Sequence, residues 1–352
     1  MRNATARAPV RSIGEGSLRA TFAVVLAATS LALTAAGCTS SAPDSAAVYL
    51  AILAADGDPR SLAIANALQD EADARGIVID IQMCKSAKQQ RRLLRKAGLR
   101  TALRAVLLQP AEPDGWQNSF AELRETNLPV LLLDRDIADS ATTYATLVSG
   151  DPYDEGRLAA EHIVRTLPES ALVVELYGAF DAGLRSRAVA DTCDRLATAT
   201  ITNRRSGLDP AAIESLADFL TQANPPINAI FAHNPAIADA ALRAIAQSER
   251  SRRQAAKKRA KEIEDSGGRA PQPIQRRRYE VVTVGGDGPT LVSVVDQGIN
   301  ATIDTPVQLI ASAAFQALGQ LERRSPLQRR TTVPSRLLGK DDALRLLSAG
   351  RQ

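Results

Sequence analysis

Only 3% of the 352 residues are aromatic, and the chain has two histidines, His162 and His233, and three cysteines, Cys38, Cys84 and Cys193. Too few histidines remain for a three-histidine metal centre, and too few rings for a base-stacking nucleic-acid platform. There is no Gly-x-Ser-x-Gly elbow, and neither histidine sits in a group that would activate a nucleophile. The glycine cluster Gly285-Gly286-Asp287-Gly288 lacks the Lys-Ser/Thr ending of a phosphate loop, and Asp56-Gly57-Asp58 is too short for a calcium loop. The composition therefore points away from an enzyme and calls for no metal and no cofactor.

The net charge of +4 is unevenly placed. Four arginines against Glu15 give residues 1–37 a charge of +3, and eleven Lys or Arg against four acids give residues 248–278 a charge of +7, which leaves −6 on the rest. A body of that sign does not offer a broad phosphate-binding face, so nucleic acid is not an expected partner.

The amino terminus reads as an address. Four arginines precede an uncharged stretch from Ala20 to Gly37, which ends in Ala35-Ala36-Gly37-Cys38. A charged region, an apolar region and small residues before a cut make an export signal. The small residues before Cys38 resemble a bacterial lipobox, which implies lipidation of Cys38 and anchoring to the outer side of the cell membrane. An uncleaved membrane helix is the alternative for these 18 residues. Thr39 to Ala47 is small and polar, as a tether would be. Cys84 and Cys193 fall in different parts of the fold and are expected as free, partly buried thiols.

From Val48 onward, short β-branched or apolar runs alternate with segments of helical period, the signature of a parallel α/β sheet. Strands are expected at Val48–Leu53, Ile77–Ile81, Ala105–Leu108, Val130–Leu133, Tyr144–Val148, Ala171–Leu176, Ala197–Thr202, Ala229–Ala232 and Glu280–Val284. Helices are expected at Leu62–Arg75, Tyr153–Leu167, up to Leu196, Ala211–Gln222 and Ala236–Gln247. Residues 248–278 break the rhythm. They open as a charged helical extension and pass through Gly267 to Pro273, which predicts an inserted exposed hairpin or disordered loop. Such a basic run is ordinarily a solvated face, with anionic lipid headgroups or a partner as the sharper alternative.

In open parallel sheets ligands bind beyond the carboxyl ends of the strands. That rule selects Asp58 and Arg60 after the first strand, Asp134 and Arg135 after Val130–Leu133, Arg185 and Arg187 after Gly178, Asn234 after Ala232, and Asp287 after Val284. Carboxylates accept from hydroxyls, guanidinium groups donate in a fixed fork, and an amide does both, so the set suits a polyhydroxyl ligand. Asn234 and Asp287 also suit plain helix caps, and Asp134-Arg135 an ion pair closing a strand end.

These residues resemble the type I periplasmic sugar-binding proteins of the ribose and galactofuranose kind, the solute-binding components of ABC transporters. The likeness spans Val48 to Asp342 and rests on Leu128-Pro129-Val130-Leu131-Leu132-Leu133-Asp134-Arg135, Gly156-Arg157-Leu158-Ala159-Ala160-Glu161, Val174-Glu175-Leu176-Tyr177-Gly178, Phe231-Ala232-His233-Asn234 and Val284-Gly285-Gly286-Asp287-Gly288. Pro110 with Gly115-Trp116, and Thr305-Pro306, resemble the galactofuranose branch. The resemblance implies two similar Rossmann-like lobes joined by a three-crossover hinge. Residues 48–138 and 305–328 would form lobe 1, and residues 139–304 and 329–346 lobe 2. It also implies sugar contacts from Asp134, Arg135, Asn234, Asp287 and Arg187 or Arg185, with Asp304 or Thr305 at a crossover.

The family's aromatic rings after the first strand are absent from Asp58-Pro59-Arg60-Ser61, with Phe180 or Trp116 as substitutes. Arg60 opens the way to a smaller or more acidic ligand. The expected protein is a monomeric lipoprotein that hands a sugar-like ligand to membrane permease subunits. A ligand sensor feeding a receptor or kinase is the alternative.

Overall fold

The computed structural model describes residues 49–54, 58–138, 143–167, 171–178, 180, 182–196, 199–206, 209–269 and 277–349. The export signal, Cys38, the tether and Asp56 lie outside them.

The first sheet contains β1 (Tyr49–Leu53), β2 (Ile79–Met83), β3 (Ala105–Leu108), β4 (Val130–Leu133), β5 (Thr146–Gly150) and β11 (Arg330–Val333), in the order β2-β1-β3-β4-β5-β11 and parallel throughout. The second contains β6 (Ala171–Tyr177), β7 (Ala199–Ser206), β8 (Ala229–Ala232), β9 (Glu280–Val284), β10 (Ala301–Asp304) and β12 (Arg336–Leu338), in the order β7-β6-β8-β9-β10-β12. Only β12 runs antiparallel to its neighbour in that sheet. Both faces of each sheet are covered by helices, so central strands such as Ala105–Leu108 and Val130–Leu133 are apolar at every position.

Alternate side chains serve opposite cores. In lobe 1, Ala51, Leu53, Leu107 and Leu131 pack on α1 (Pro59–Ala74) and α9 (Val307–Glu322). Ile52, Leu108 and Leu132 face α2 (Ala87–Ala97) and α3 (Gln117–Arg124), with Trp116 fully buried among them. In lobe 2, Val173, Phe231 and Val282 meet α4 (Pro152–Thr166) and α5 (Ala182–Leu196), while Val174, Ile230 and Val281 meet α6 (Pro210–Gln222) and α7 (Pro235–Asp265). The chain finishes with α8 (Gly288–Val292), a π turn at Ser293–Gln297, and α10 (Lys340–Ala349).

Two expectations need correction. The strand expected at Tyr144–Val148 pairs with β4, in register from Leu131 opposite Thr146, so it belongs to lobe 1 and not to lobe 2. Likewise β11 pairs with β5. The crossovers therefore fall after Gly150, at Asp304–Thr305 and between Val333 and Arg336, rather than at 138/139 and 328/329. The boundary is set by which strand completes which ladder, a pairing that composition does not encode.

Second, the charged helical extension expected from Ser248 is present, but no hairpin or loop begins before the end of that helix. It continues α7 without a break to Asp265, because Ala, Lys, Arg, Gln and Glu are strong helix formers and no Gly or Pro intervenes before Gly267. Residues 270–276 lie outside the described residues. Cys84 and Cys193 are free and buried in different lobes, and burial pushes each thiol up to about 11.

Helices α4 and α5 touch most closely at Gly156, where an added Cβ would lie 2.4 Å from the Arg185 carbonyl oxygen and 3.0 Å from Ala188 Cβ. That approach sets Arg185 beside Glu155. Gly156→Ala must push the helices apart, and overpacking of this kind costs about 1–3 kcal/mol. Chemical denaturation is expected to show a lower midpoint with unchanged slope.

Candidate functional site

The carboxyl ends of both sheets face one cleft of about 880 Å³, and helices begin at its walls. Those helices start alike. Asp58 accepts from the Arg60 backbone N–H at 3.1 Å, Asp151 from Tyr153 at 2.9 Å, Asn234 from Ile237 at 2.9 Å and Asp287 from Thr290 at 2.8 Å. A proline in the first two positions presets each first turn and removes an N–H that the helix would leave unpaired. Asn234 and Asp287 are therefore caps, and each also lines the cleft.

On the lobe 1 wall, Arg60 grips Asp134. Its Nε lies 2.9 and 3.0 Å from the two carboxylate oxygens, and Nη2 closes a further short contact. Gln109 donates to Asp134 Oδ2 at 3.3 Å and accepts from Ser61 Oγ at 2.7 Å, and the same hydroxyl bonds Asp58 at 2.8 Å. Arg135 completes the chain by donating to Asp58 at 2.7 Å. Asp134 holds φ +65, a left-handed conformation that turns its side chain back over the strand end.

On the lobe 2 wall, Arg185 forks onto Glu155 at 2.6 and 2.7 Å. Glu155 accepts from Thr305 Oγ1 at 3.1 Å, Thr305 Oγ1 meets Ser335 Oγ at 2.7 Å, and the Thr305 carbonyl lies 3.4 Å from both Arg60 terminal nitrogens. An unbroken polar chain thus runs from Arg185 through the hinge to Asp134. Gly150, Thr305 and Ser335, one from each crossover, meet in this chain. A Cβ on Gly150 would lie 2.5 Å from Thr305 Oγ1, so the glycine is what allows the approach. Phe180 of lobe 2 lies beneath the Arg135 guanidinium of lobe 1, 5.5 Å from Cζ to ring centroid.

Of the residues selected from sequence, Asp58, Arg60, Asp134, Arg135, Arg185, Asn234 and Asp287 are brought together around the cleft. Two are not. The Arg187 side chain is 74% exposed and points along α5 toward Asp191, because residues two apart on a helix lie about 200° apart around its axis. Asp304 is held by Arg336 at 3.0 and 3.2 Å, and its neighbour Thr305 faces the cleft instead. Trp116 is core packing, its indole N–H bonded to the Glu112 carbonyl at 2.8 Å.

Three further groups escaped sequence reasoning: Glu155 and His233, which line the cleft, and Gln109, which is fully buried and supports Asp134. Gln109 and His233 each follow directly on a strand, so the strand-end rule reaches them, but an amide and a lone histidine gave no chemical signal. Glu155 sits inside a helix. His233 Nε2 lies 2.8 Å from fully buried Glu175, which also accepts from Ser186 at 2.5 Å. A carboxylate only accepts, so Nε2 carries the proton and the buried, unpartnered Nδ1 keeps a lone pair. Burial drives the His233 pKa down against the opposing pull of Glu175, which keeps the ring neutral.

Among the described residues the cleft is lined by five carboxylates, Asp58, Asp134, Glu155, Asp239 and Asp287, against Arg60, Arg135 and Arg185. Every arginine is already matched to a carboxylate, and the surplus is negative. No group of three or more His, Cys, Asp or Glu among the described residues could hold a metal ion.

A two-lobed α/β protein with a polar cleft at its hinge is a ligand-binding class of architecture. Residues 52–324 match the family model described as a periplasmic binding protein domain, and the chain belongs to that family of binding proteins. It is 24% identical over 288 residues to the ribose import binding protein RbsB of Bacillus subtilis, covering 80% of this chain and 83% of that protein. The galactofuranose-binding protein YtfQ of Escherichia coli is 25% identical over 192 residues, covering 52% and 60%. Among solved structures, a periplasmic ribose ABC transporter protein from Conexibacter woesei superposes with a TM-score of 0.70 at 15% identity, over 88% of this chain and 97% of that one. The fold is therefore the two-lobed type I arrangement.

Burial works to raise the Asp134 carboxyl, but Arg60, Arg135 and Gln109 hold it down at about 2, below the ordinary 3.8. A carboxylate depressed on folding adds stability above its unfolded pKa and loses it as pH falls toward the folded one. Its share is about 2 kcal/mol. Between pH 4 and pH 2, urea denaturation of Asp134→Asn is expected to lose about that much less stability than the unsubstituted protein. At pH 7 the variant starts lower, because Arg60 is left buried with half its partner gone.

Proposed function

We propose that the protein is an extracytoplasmic solute-binding component of an ABC transporter. It captures a neutral sugar or other polyhydroxyl ligand between its lobes and is held at the membrane by lipidated Cys38. The observation that carries this reading is the matched set of guanidinium and carboxylate groups facing one cleft, with acceptors and donors on both walls. Hydroxyls can insert among such groups because each both donates and accepts. The matched relatives named for ribose and galactofuranose support the same ligand class.

The cleft charge narrows the ligand further than sequence could. A carboxylate-bearing ligand would find every cleft arginine engaged and Asp287 adding negative charge, with Asp239 paired to Arg243, which disfavours the acidic ligand that Arg60 alone had suggested. Phe180 provides an apolar face where the family's first-strand rings are missing.

The test is thermal melting of the chain from Thr39 against pentoses, hexoses, furanosides, polyols and sugar acids. A ligand at 100 times its Kd adds about 2.7 kcal/mol, a shift of several degrees. A neutral sugar or polyol is expected to raise the melting temperature, and Asp134→Ala to lose that shift. A shift confined to sugar acids would overturn the reading. Cys38→Ala is expected to release the protein from the membrane fraction, as measured by immunoblot. Among the described residues no helix is long and apolar enough to cross a membrane.

A further inference from the structure

The carboxyl half of α7 has no place in ligand capture. This helix starts at the cleft with the Asn234 cap and runs back past the sheet, packing on α6 until Ser248 and Glu249, its last buried residues. Beyond them it continues exposed to Asp265, roughly 24 Å at 1.5 Å per residue. Strand carboxyl ends point to the cleft, so this half stands at the far pole of lobe 2.

At 100° per residue, Arg250, Arg253, Lys257, Lys258 and Lys261 fall within about 140° of the helix circumference and form one exposed stripe. Arg253 is paired with Glu249 at 3.6 Å, and the three lysines make no ion pair among the described residues, although Glu262, Glu264 and Asp265 follow Lys258 and Lys261 at three- and four-residue spacing. The opposite side carries Arg252 and Arg259 with Ala255, Ala256 and Ile263, and no aromatic or large apolar side chain lies among the cations of the stripe. Against Glu264 and Asp265, which share the arc, the five cations leave this face at +3, and their mutual repulsion is relieved when a surface of opposite sign is brought up.

We propose that this stripe binds the surface of a bilayer rich in anionic phospholipid. The inference rests on the extracytoplasmic, membrane-held reading above for access to such a surface. The absence of apolar anchors on the stripe fits adsorption onto headgroups rather than insertion, and the absence of rings removes the stacking that a single-stranded nucleic acid would use. Outside residues 248–278 the mature chain carries about −6, so the positive charge that such a surface attracts is concentrated in this segment. The chain enters β1 at the far pole of lobe 1.

The test uses the chain from residue 38 with Cys38→Ala, so that no acyl group contributes, and vesicles of phosphatidylcholine with or without 30% phosphatidylglycerol. At about 50 mM salt, co-sedimentation with the anionic vesicles is expected to be at least tenfold stronger than with phosphatidylcholine alone, and to vanish near 0.5 M salt. Replacing all five cations by glutamine should remove the preference while leaving the melting temperature and its sugar-induced shift unchanged. Equal binding to both vesicle types, or binding that survives the five substitutions, overturns the proposal. A sugar panel without any shift would count against the ligand reading and leave the vesicle result standing.

Discussion

The structure turns on a line of charged and hydroxyl groups that joins Arg185 to Glu155, Glu155 to Thr305, and Thr305 through Arg60 to Asp134. Its two ends lie on opposite lobes and its middle is the hinge. Such groups are costly to bury singly and tolerable only when matched. Each lobe therefore holds its half of the line in place with its own scaffold: Gln109 and Ser61 in lobe 1, the close α4–α5 approach at Gly156 in lobe 2. A ligand entering the cleft meets groups already oriented, and the reorganisation required of them is small.

After the first strand, where the resemblance implies aromatic rings, Asp58-Pro59-Arg60-Ser61 supplies none. Where a stacking face is expected, this chain puts Arg60, and Arg60 is committed to Asp134. The guanidinium narrows that wall and gives it a matched charge rather than an apolar surface. Phe180, across the cleft under Arg135, is the described aromatic that lines it.

Much of this was legible in the sequence. Runs such as Val130–Leu133 are apolar at every position because both faces of the sheet are covered, and the strand-end rule then located Asp134, Arg135, Asn234 and Asp287 without knowledge of their partners. The failures have geometric causes. Arg185 and Arg187 differ by two positions, which a helix converts into opposite faces. Asp304 and Thr305 differ by one, which an extended chain converts into opposite sides. The lobe boundary was misplaced because β5 and β11 resemble any other short strand, and only the ladder they join assigns them. The helical extension past Ser248 was legible in its strong helix formers, whereas its length to Asp265 was not, because no Gly or Pro marks an end before Gly267.

The most direct measurement is a crystal structure of the protein with the ligand that raises its melting temperature. The matched-cleft account predicts a neutral polyhydroxyl molecule with hydroxyls in hydrogen-bond range of Asp134 and Arg135 on one wall and of Arg185 and Asn234 on the other. A ligand that touches neither Asp134 nor Arg185, or a carboxylate seated on Arg60 in place of Asp134, would contradict it.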